Sequence, residues 1–283
     1  MNDLELSRAI EDALVARNPR GMRTLQAAMT PGYYLRATEL LKNIEGNVII
    51  GTGFPVAGSF ETDGPVGAIA LYEALESLGA TPWIACAPPL ADRISDRYRV
   101  VPLTITDMDS AITEAREQLA KLQPKAVISI ERPGLTEDGR YYNMRGVDIS
   151  EHCGVFDPFI TEASCPTIGV GDGGNEIGMG NLRETVAGLS INGAITTCDE
   201  LVIADVSNWA AYGLIALLGR CAGRDLLSQI QPVTILEYLS ALGSVDGVTG
   251  ENTITEDGMA ASEGLAVLRE LQTLVADTEA AAS

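Results

Sequence analysis

Short apolar runs alternate with helical segments along most of this chain, and that alternation limits its fold more than any other feature. Six such runs are visible: NVIIGTG (47–53), TPWIACA (81–87), YRVVPLTI (98–105), AVISIE (126–131), PTIGVG (166–171) and ELVIADV (200–206). Each is short enough for one strand, and apolar residues recur at helical spacing in the stretches between them. Strands that alternate with helices are typical of a parallel sheet covered on both faces. The sequence therefore predicts an α/β fold with a doubly wound, mostly parallel, Rossmann-like sheet.

Two amphipathic helices are predicted ahead of the first strand. They cover LELSRAIEDALVARN (4–18) and GYYLRATELLKN (32–43), with the helix breakers Pro31 and Gly32 between the two patterns. Residues 1–45 are therefore expected to form a helical extension packed on the sheet. No linker rich in proline, serine or charge divides the chain, so residues 1–283 are predicted to form a single domain. The alanine-rich carboxyl end predicts a frayed terminus.

The chain is strongly acidic. Its 39 acidic residues outnumber 19 basic ones, which argues against nucleic acid as a partner, because such binding begins with the neutralisation of phosphates. Residues 151–283 carry 19 acids and 4 bases, so an anionic ligand needs a local arginine clamp. The apolar runs are too short to span a bilayer, and the acidic N-terminus is unlike a signal peptide. These features predict a cytoplasmic protein that acts on a small molecule, without a nucleic-acid or membrane partner.

Cysteine and histidine usage narrows the chemistry. The five cysteines are Cys86, Cys153, Cys165, Cys198 and Cys221. Their spacing matches neither C-x-x-C nor a zinc site, so they are expected to be reduced thiols in a reducing compartment. His152 is the single histidine, which excludes a histidine-rich metal site. Acid–base chemistry therefore falls mainly to carboxylates, arginine, tyrosine or the backbone.

Three polar, glycine-rich loops follow predicted strands, at residues 51–65, 131–150 and 171–181. In an open α/β sheet, ligands bind in the crevice outside the carboxyl ends of the strands. Because all three loops stand at such ends, the sequence predicts one site to which each of them contributes.

The first loop lies within GTGFPVAGSFETDGPVGA (51–68). Gly64 and Pro65 stand directly before a predicted helix, where free backbone N–H groups can bind a carboxylate or a phosphate. The residues expected to bind substrate here are Thr52, Gly53, Thr62, Asp63 and Gly64, and Glu61 adds an acid beside them. Val56 occupies the third glycine position of a dinucleotide fingerprint. An ordinary long loop between strand and helix stays an alternative.

The second loop begins with a charged pair, Glu131 and Arg132, directly after the buried run AVISI. A charged pair at this position indicates that both groups face a polar pocket. Arg132 or Arg145 is expected to bind a substrate carboxylate, with Asn143 beside it. Glu131 is a candidate acid or base. The alternative is a Glu–Arg pair that fixes a surface loop.

The third loop, GVGDGGNEIGMGN (169–181), carries the most functional groups. Its glycines allow backbone N–H groups to converge on an anion, while Asp172 and Glu176 point into the same pocket. The substrate contacts expected in this loop are Gly173, Gly174 and Asn175. Asp172 is also a candidate ligand for a divalent metal, Mg²⁺ or Mn²⁺, and the sequence raises no other cofactor.

A regulatory module that binds a nucleotide or phosphate through residues 169–180 is the main alternative. Gly169, Gly171 and Gly174 match G-x-G-x-x-G, but the chain has no G-K-[ST] motif. A metal-dependent enzyme acting on another small amino acid or carboxylic acid is a third interpretation, and it uses the same site.

Three stretches resemble the D-glutamate cyclase family, in the domain that forms the C-terminal half of the eukaryotic mitochondrial enzyme. They are GTGFPVAGSFETDGPVGA, ERPGLTEDGRYYNMRGVDIS and TIGVGDGGNEIGMGN. The resemblance implies a carbon–oxygen hydro-lyase that converts D-glutamate to 5-oxo-D-proline with loss of water. The eukaryotic enzyme also carries an N-terminal domain, similar to hydro-lyases, that has no counterpart in these 283 residues.

The implied reaction assigns roles to the candidate residues. Cyclisation needs a deprotonated α-amine, a neutralised γ-carboxyl and a proton donor for the departing water. Asp172 and Glu176 are expected to form the acid–base pair, with Glu131 in reserve. Arg132 and Arg145 are expected to bind the carboxylates of a small anionic amino acid. A divalent metal on Asp172 is an alternative to the general acid, and assembly into a homo-oligomer stays open.

Overall fold

Six parallel strands form the central sheet in a computed structural model of the protein, which describes residues 1–280. They are β1 (Gly46–Thr52), β2 (Ala80–Cys86), β3 (Val100–Pro102), β4 (Ala126–Ile130), β5 (Thr167–Gly171) and β6 (Glu200–Ile203). Their order across the sheet is β3-β2-β1-β4-β5-β6, and every neighbouring pair is parallel. The chain therefore reverses its direction of growth between β1 and β4. Such a switch point opens a crevice at the carboxyl ends of the strands.

Eleven α-helices surround the sheet within the described residues. They are α1 (Asp3–Leu14), α2 (Met22–Ala28), α3 (Tyr33–Leu41), α4 (Pro65–Ser77), α5 (Leu90–Ile94), α6 (Met108–Leu122), α7 (Asp157–Thr161), α8 (Arg183–Val186), α9 (Ser207–Ala222), α10 (Pro232–Ala241) and α11 (Ala261–Ala280). Two hairpins with two-residue strands pair Pro55–Val56 with Ser59–Phe60 and Thr255–Glu256 with Met259–Ala260. No helix among residues 1–280 is long and apolar enough to cross a membrane.

Alternating side chains along the strands supply two cores, one on each face of the sheet. Val48 and Ile50 of β1 enter the larger core, which also contains buried residues of α1, α3, α4 and α9. Ile49 enters the smaller core, where it meets Phe156 and Phe159 beside α7. Helices therefore cover both faces, which confirms the predicted doubly wound α/β fold.

The N-terminal extension has one more helix than the sequence analysis predicted. Helix α2 occupies part of the segment between the two predicted helices, and only Met22 and Leu25 of it are buried. Two apolar residues are too few to show a helical period, which explains why the pattern missed it. The predicted strand at 98–105 shortens to Val100–Pro102, and the end of the third loop leads into a 3₁₀ turn (Met179–Leu182) and the short α8.

Helices α1 and α3 pack against α9. The assignment of residues 1–283 to a single domain stays a prediction, and its last three residues lie outside the described range. The alanine-rich end for which fraying is predicted includes these three residues, and the part of it that the structure describes belongs to α11, which continues to Ala280.

Gly213 lies where α9 packs tightly against the N-terminal helices. A Cβ atom built on Gly213 would lie 2.6 Å from Cε1 of Tyr34 and 2.8 Å from Cδ1 of Leu14. A side chain at this position would therefore push α1 and α3 away from α9.

Replacement of Gly213 by alanine tests this packing. On an exposed helix the change would stabilise the fold by about 1 kcal/mol, because glycine lowers helix propensity. Here we expect Gly213→Ala to lower the free energy of unfolding by roughly 1–3 kcal/mol through overpacking. Urea titration followed by circular dichroism measures it. A variant as stable as the wild type would contradict this arrangement of the N-terminal helices.

Candidate functional site

A cavity of about 480 Å³ lies at the carboxyl end of the sheet, beside the switch point between β1 and β4. All three loops predicted to form the site contribute to its wall. The predicted site residues on the wall are Glu131, Asn143, Arg145, Asp172, Gly173, Asn175 and Glu176. Further segments complete the wall. They supply Arg20, Pro88, Pro89, Ile105, His152 and residues between 247 and 257.

Three carboxylates converge beside this cavity. One carboxylate oxygen each from Asp63, Glu131 and Asp172 lies within 4.8 Å of the other two, and all three residues are buried. Asp63 belongs to the loop after β1, while Glu131 and Asp172 directly follow β4 and β5. They meet because parallel neighbouring strands end at the same edge of the sheet.

The N-terminus of α9 orients these three carboxylates. The backbone N–H of Ser207 donates to Oδ2 of Asp63 at 3.1 Å and to Oδ2 of Asp172 at 3.2 Å. The Ser207 hydroxyl donates to Oε2 of Glu131 at 2.5 Å, and the N–H of Asn208 donates to Oδ1 of Asp63 at 2.8 Å. The first N–H groups of a helix have no partner within the helix and favour negative charge. Helix α9 therefore helps to hold carboxylates that would otherwise repel one another.

Glu131 and Gly64 pack closely to complete this arrangement. Glu131 has a positive φ of 49°, a left-handed conformation that side chains other than glycine rarely adopt. Gly64 has a φ of 89°, and a Cβ atom on it would lie 2.7 Å from Cβ of Glu131. The loop after β1 can therefore approach Glu131 only with glycine at position 64.

Arg20 is the positively charged residue at the inner side of the cavity. The sequence analysis did not identify it. Its Nη2 donates to Oδ2 of Asp172 at 2.6 Å, to Oδ2 of Asp257 at 2.5 Å and to the Asp205 carbonyl at 2.8 Å. The Asp205 carboxylate accepts the backbone N–H of Arg17 at 2.7 Å and so anchors the segment that carries Arg20. Arg20 follows Asn18 and Pro19 and precedes Gly21, residues that break helices, so no sequence motif marked it.

Glu61 and Glu176 add two more carboxyl groups to the wall. Glu61 is only 6% exposed, and no side chain or backbone group among residues 1–280 makes a hydrogen bond to its carboxyl group. Glu176 accepts the backbone N–H of Gly174 at 2.7 Å. With Asp257, six largely buried carboxyl groups lie in or directly behind the inner wall of the cavity, and the exposed Asp148 adds a seventh at its outer part.

Burial makes these carboxyl groups hard to ionise together. It raises the pKa of Glu61 and Glu131 well above the ordinary range of a carboxyl, and repulsion from neighbouring carboxylates adds to the effect. Burial likewise raises the pKa of Asp172, where the Arg20 guanidinium opposes the shift. It raises the pKa of Asp63 to about 6. The cavity therefore favours bound protons or cations over six simultaneous negative charges.

Arg132 does not have the role that the sequence predicted for it. Its guanidinium donates to the backbone carbonyls of Gly53 and Gly154, and it contacts the carbonyl of Thr52 at 3.4 Å. The side chain is almost fully buried and lies outside the cavity wall. We therefore correct its assignment: Arg132 ties the loops together and is not placed to bind a substrate carboxylate.

The predicted anion cradle before α4 is already filled by the protein. Oδ1 of Asn208 accepts the N–H groups of Gly64 at 2.9 Å and Gly67 at 2.7 Å. The Thr62 hydroxyl donates to the Thr255 carbonyl at 2.7 Å. The predicted substrate contacts that lie off the cavity wall are Thr52, Gly53, Thr62, Asp63, Gly64 and Gly174. These residues lie behind the wall and support it. Their placement therefore gives no support to the predicted contacts with substrate.

Arg145 and Asn143 stand at the outer part of the cavity. Arg145 is exposed, and its Nη2 donates to the Val248 carbonyl at 2.6 Å, which links the second loop to residues 247–250. Oδ1 of Asn143 accepts the backbone N–H of Arg145 at 2.9 Å and so fixes the turn. Arg145 is therefore the predicted clamp residue that keeps access to the cavity.

Glu256 is a buried carboxyl that supports the site without facing the cavity. Its Oε2 accepts Nδ2 of Asn208 at 2.8 Å. Burial raises its pKa from 4.5 to about 8, although the bond from Asn208 opposes the shift.

The raised pKa of Glu256 predicts a pH effect on stability. Between about pH 4.5 and 8 the folded protein keeps a proton that the unfolded chain has lost. The Glu256 carboxyl therefore lowers the free energy of unfolding as the pH rises, by up to about 1.4 kcal/mol per pH unit. Glu256→Gln removes this loss, so the stability difference between the variant and the wild type should increase with pH. Urea titrations at several pH values check it, and a constant difference would contradict the assignment.

Comparisons with known proteins agree with the resemblance carried by the three loops. A family described as "D-glutamate cyclase-like, C-terminal" matches residues 10–272. The human protein named "D-glutamate cyclase, mitochondrial" is 33% identical over 219 residues, which cover 66% of this chain and 36% of the human protein. The match therefore spans about a third of the length of that relative.

A solved structure, the crystal structure of gox2181, matches at 15% identity with a TM-score of 0.27. The match covers 53% of this chain and 58% of that one, and at this level it carries no argument. The family match, in contrast, extends over nearly the whole sequence and includes all three loops around the cavity. The chain is therefore a member of the D-glutamate cyclase-like, C-terminal family.

Proposed function

We propose that this protein is a lyase of the D-glutamate cyclase type, which converts D-glutamate to 5-oxo-D-proline with loss of water. The observation that carries the proposal is the convergence of acid–base carboxylates and two arginines on one cavity. The name of the human relative supplies the reaction, and the family match supplies its link to this chain.

The dimensions and charge of the cavity support a small amino acid as substrate. Its volume of about 480 Å³ lies in the range of small-molecule pockets. The carboxylates attract an α-ammonium group, while Arg20 and Arg145 offer charge to substrate carboxylates. A zwitterionic dicarboxylic amino acid matches both kinds of group.

Cyclisation forms one C–N bond and breaks one C–O bond. The α-ammonium first loses a proton, and its nitrogen then attacks the γ-carboxyl carbon. The nitrogen loses a second proton as the lactam forms, so two protons in all pass from nitrogen to one oxygen of the γ-carboxylate, which departs as water. A base and an acid on the same wall can supply both transfers.

Asp172 and Glu176 are the proposed acid–base pair. Both line the cavity, but their surroundings differ. Asp172 contacts the Arg20 guanidinium at 2.6 Å, whereas Glu176 accepts the backbone N–H of Gly174 at 2.7 Å. We assign the base to Glu176 and the acid to Asp172, with Glu131 as the reserve acid. Different environments for two carboxyl groups are the usual basis for such a division of roles.

The cavity offers little to the rival nucleotide- or phosphate-binding module. Asn208 occupies the N–H groups of Gly64 and Gly67, and Glu176 occupies that of Gly174. A phosphate would also meet six buried carboxyl groups in or behind the wall. A metal-dependent enzyme for another small acid shares the site, and a panel of amino acids and carboxylic acids would identify it.

The setting of the reaction belongs to the same proposal. We place the protein in the cytoplasm, without a nucleic-acid or membrane partner. The cysteines are free thiols, and proteins of reducing compartments rarely carry disulfides. The name of the human relative, in contrast, places that protein in mitochondria. Formation of a homo-oligomer stays open to measurement by light scattering.

Substitution of the acid–base pair tests the proposed reaction. Purified protein incubated with D-glutamate should form 5-oxo-D-proline, measured by chiral chromatography, with L-glutamate as the comparison substrate. Asp172→Asn and Glu176→Gln should each lower the rate at least about 10²-fold, because each removes a proton-transfer group. Glu162→Gln is the control, since Glu162 pairs with Arg116 on the surface at 2.7 Å, away from the cavity wall. Unchanged turnover in both active-site variants would remove the assignment.

Arg145→Gln tests the binding of substrate carboxylates. Because Arg145 is exposed, its loss should leave the fold intact and raise KM for D-glutamate by roughly tenfold, with a smaller effect on kcat. Arg140→Gln is the matched control, because Arg140 lies in the same loop, pairs with Asp148 at 2.9 Å and does not line the cavity. Equal KM values for the two variants would contradict a role of Arg145 in binding.

A further inference from the structure

We propose that Asp63, Glu131 and Asp172 form a binding site for one divalent cation, Mg²⁺ or Mn²⁺, at the inner end of the cavity, where Glu131 and Asp172 line the wall and Asp63 lies directly behind it. The site rests on the geometry of these residues and of Glu61. Its role in the reaction, described below, rests on the proposed function.

The spacing of the three carboxylates suits a small, hard cation. Their nearest oxygens lie within 4.8 Å of one another. Mg²⁺ binds oxygen at about 2.0–2.1 Å, so ligands on opposite sides of the ion stand roughly 4.2 Å apart. Neighbouring ligands of an octahedral ion stand roughly 2.9 Å apart, so small side-chain movements that draw the three oxygens together are needed to bind one ion. All three residues belong to strand ends or to the adjoining loop, which limits how far they can separate.

Glu61 is the second, independent observation. The residue is only 6% exposed and lines the same cavity. Its carboxyl group receives no hydrogen bond from residues 1–280. A buried carboxylate without a partner is costly, so a group this well placed indicates a ligand that the protein does not itself supply. A cation at the three carboxylates would give Glu61 that partner, directly or through a bound water.

The charge around the cavity also favours a cation. The six carboxyl groups are Glu61, Asp63, Glu131, Asp172, Glu176 and Asp257. Arg20 is the inner cation opposite them, and Arg145 lies exposed at the outer part. A dicarboxylic amino acid brings further negative charge. A divalent cation would allow carboxylates of both protein and substrate to occupy the same cavity.

Existing hydrogen bonds would orient the ligands. Ser207 holds one oxygen of each of the three carboxylates through its N–H or its hydroxyl. Oε1 of Glu131 accepts no hydrogen bond from the described residues, and so keeps its lone pairs for a cation. Groups that fix metal ligands from behind raise affinity, and the start of α9 is placed to do so.

The cation would change the proposed reaction in one step. Its charge would neutralise the γ-carboxyl and stabilise the departing oxygen, so the proton of Asp172 would no longer be needed for that purpose. Glu176 would still accept the proton of the α-ammonium.

Mn²⁺ titration of the full chain tests the site without reference to activity. After treatment with EDTA and its removal, electron paramagnetic resonance reports free Mn²⁺, and calorimetry gives the stoichiometry. We expect one saturable site in the wild type and at least about tenfold weaker binding in Asp63→Asn. Glu61→Gln should also weaken Mn²⁺ binding. This variant breaks no hydrogen bond among the described residues, so it tests the site even if Asp63→Asn fails to fold. Glu162→Gln, which lies on the surface away from the cavity wall, is the control and should bind Mn²⁺ as the wild type does.

Two results would overturn the site: no saturable Mn²⁺ binding in the millimolar range, or equal affinity in the wild type, Asp63→Asn and Glu61→Gln. Failure of the proposed function is distinguishable from failure of the site. Saturable binding without 5-oxoproline formation would leave the cation site in place and remove the cyclase assignment. Cyclisation by metal-free protein that binds no Mn²⁺ would do the reverse.

Discussion

The contact between the start of helix α9 and the carboxylates of Asp63, Glu131 and Asp172 is the interaction on which the cavity depends. Three carboxylates drawn from separate strand ends repel one another, and burial strengthens that repulsion. The N–H and hydroxyl groups of Ser207 give each of them a donor at a fixed position. Helix α9 can serve in this way because it is buried between α4, α3 and α11, and so cannot move away from the repelling charges.

Asn208 extends this anchoring from α9 to α4. Its Oδ1 accepts the N–H groups of Gly64 and Gly67 at the start of α4, and its own N–H holds Asp63. A neutral amide oxygen thereby occupies the position that an anion takes in phosphate-binding sites at helix N-termini. Because the Asn208 side chain is neutral, it holds the loop after β1 in place without adding a positive charge that would offset the carboxyl groups of the cavity. The proposed preference of the site for cationic or zwitterionic groups therefore depends on the contacts that hold its loops together.

The sequence predicted the strands and the shared location of the three loops, but only part of the site. Strand prediction succeeded because buried parallel strands are short apolar runs, and parallel strands bring loops such as those of Glu131 and Asp172 to one edge. Arg20 was missed because its place is set by an anchor to Asp205, which no local pattern records. Arg132 was assigned to substrate because a charged residue after a buried strand usually needs a polar partner. Its partners are backbone carbonyls, which the sequence does not reveal.

The N-terminal extension completes the site as well as covering the sheet. The turn between α1 and α2 is held to Asp205 at the end of β6, and this contact delivers Arg20 to Asp172 and Asp257. Without the Arg20 guanidinium, no arginine or lysine among the described residues that line the inner wall would offset its carboxyl groups. Arg145, the other arginine that lines the cavity, is exposed at its outer part. The cost of burying these acids is therefore offset by packing far from the cavity, where α1 and α3 meet α9. The packing of α1 and α3 and the charge balance of the cavity are therefore linked through the short turn that carries Arg20.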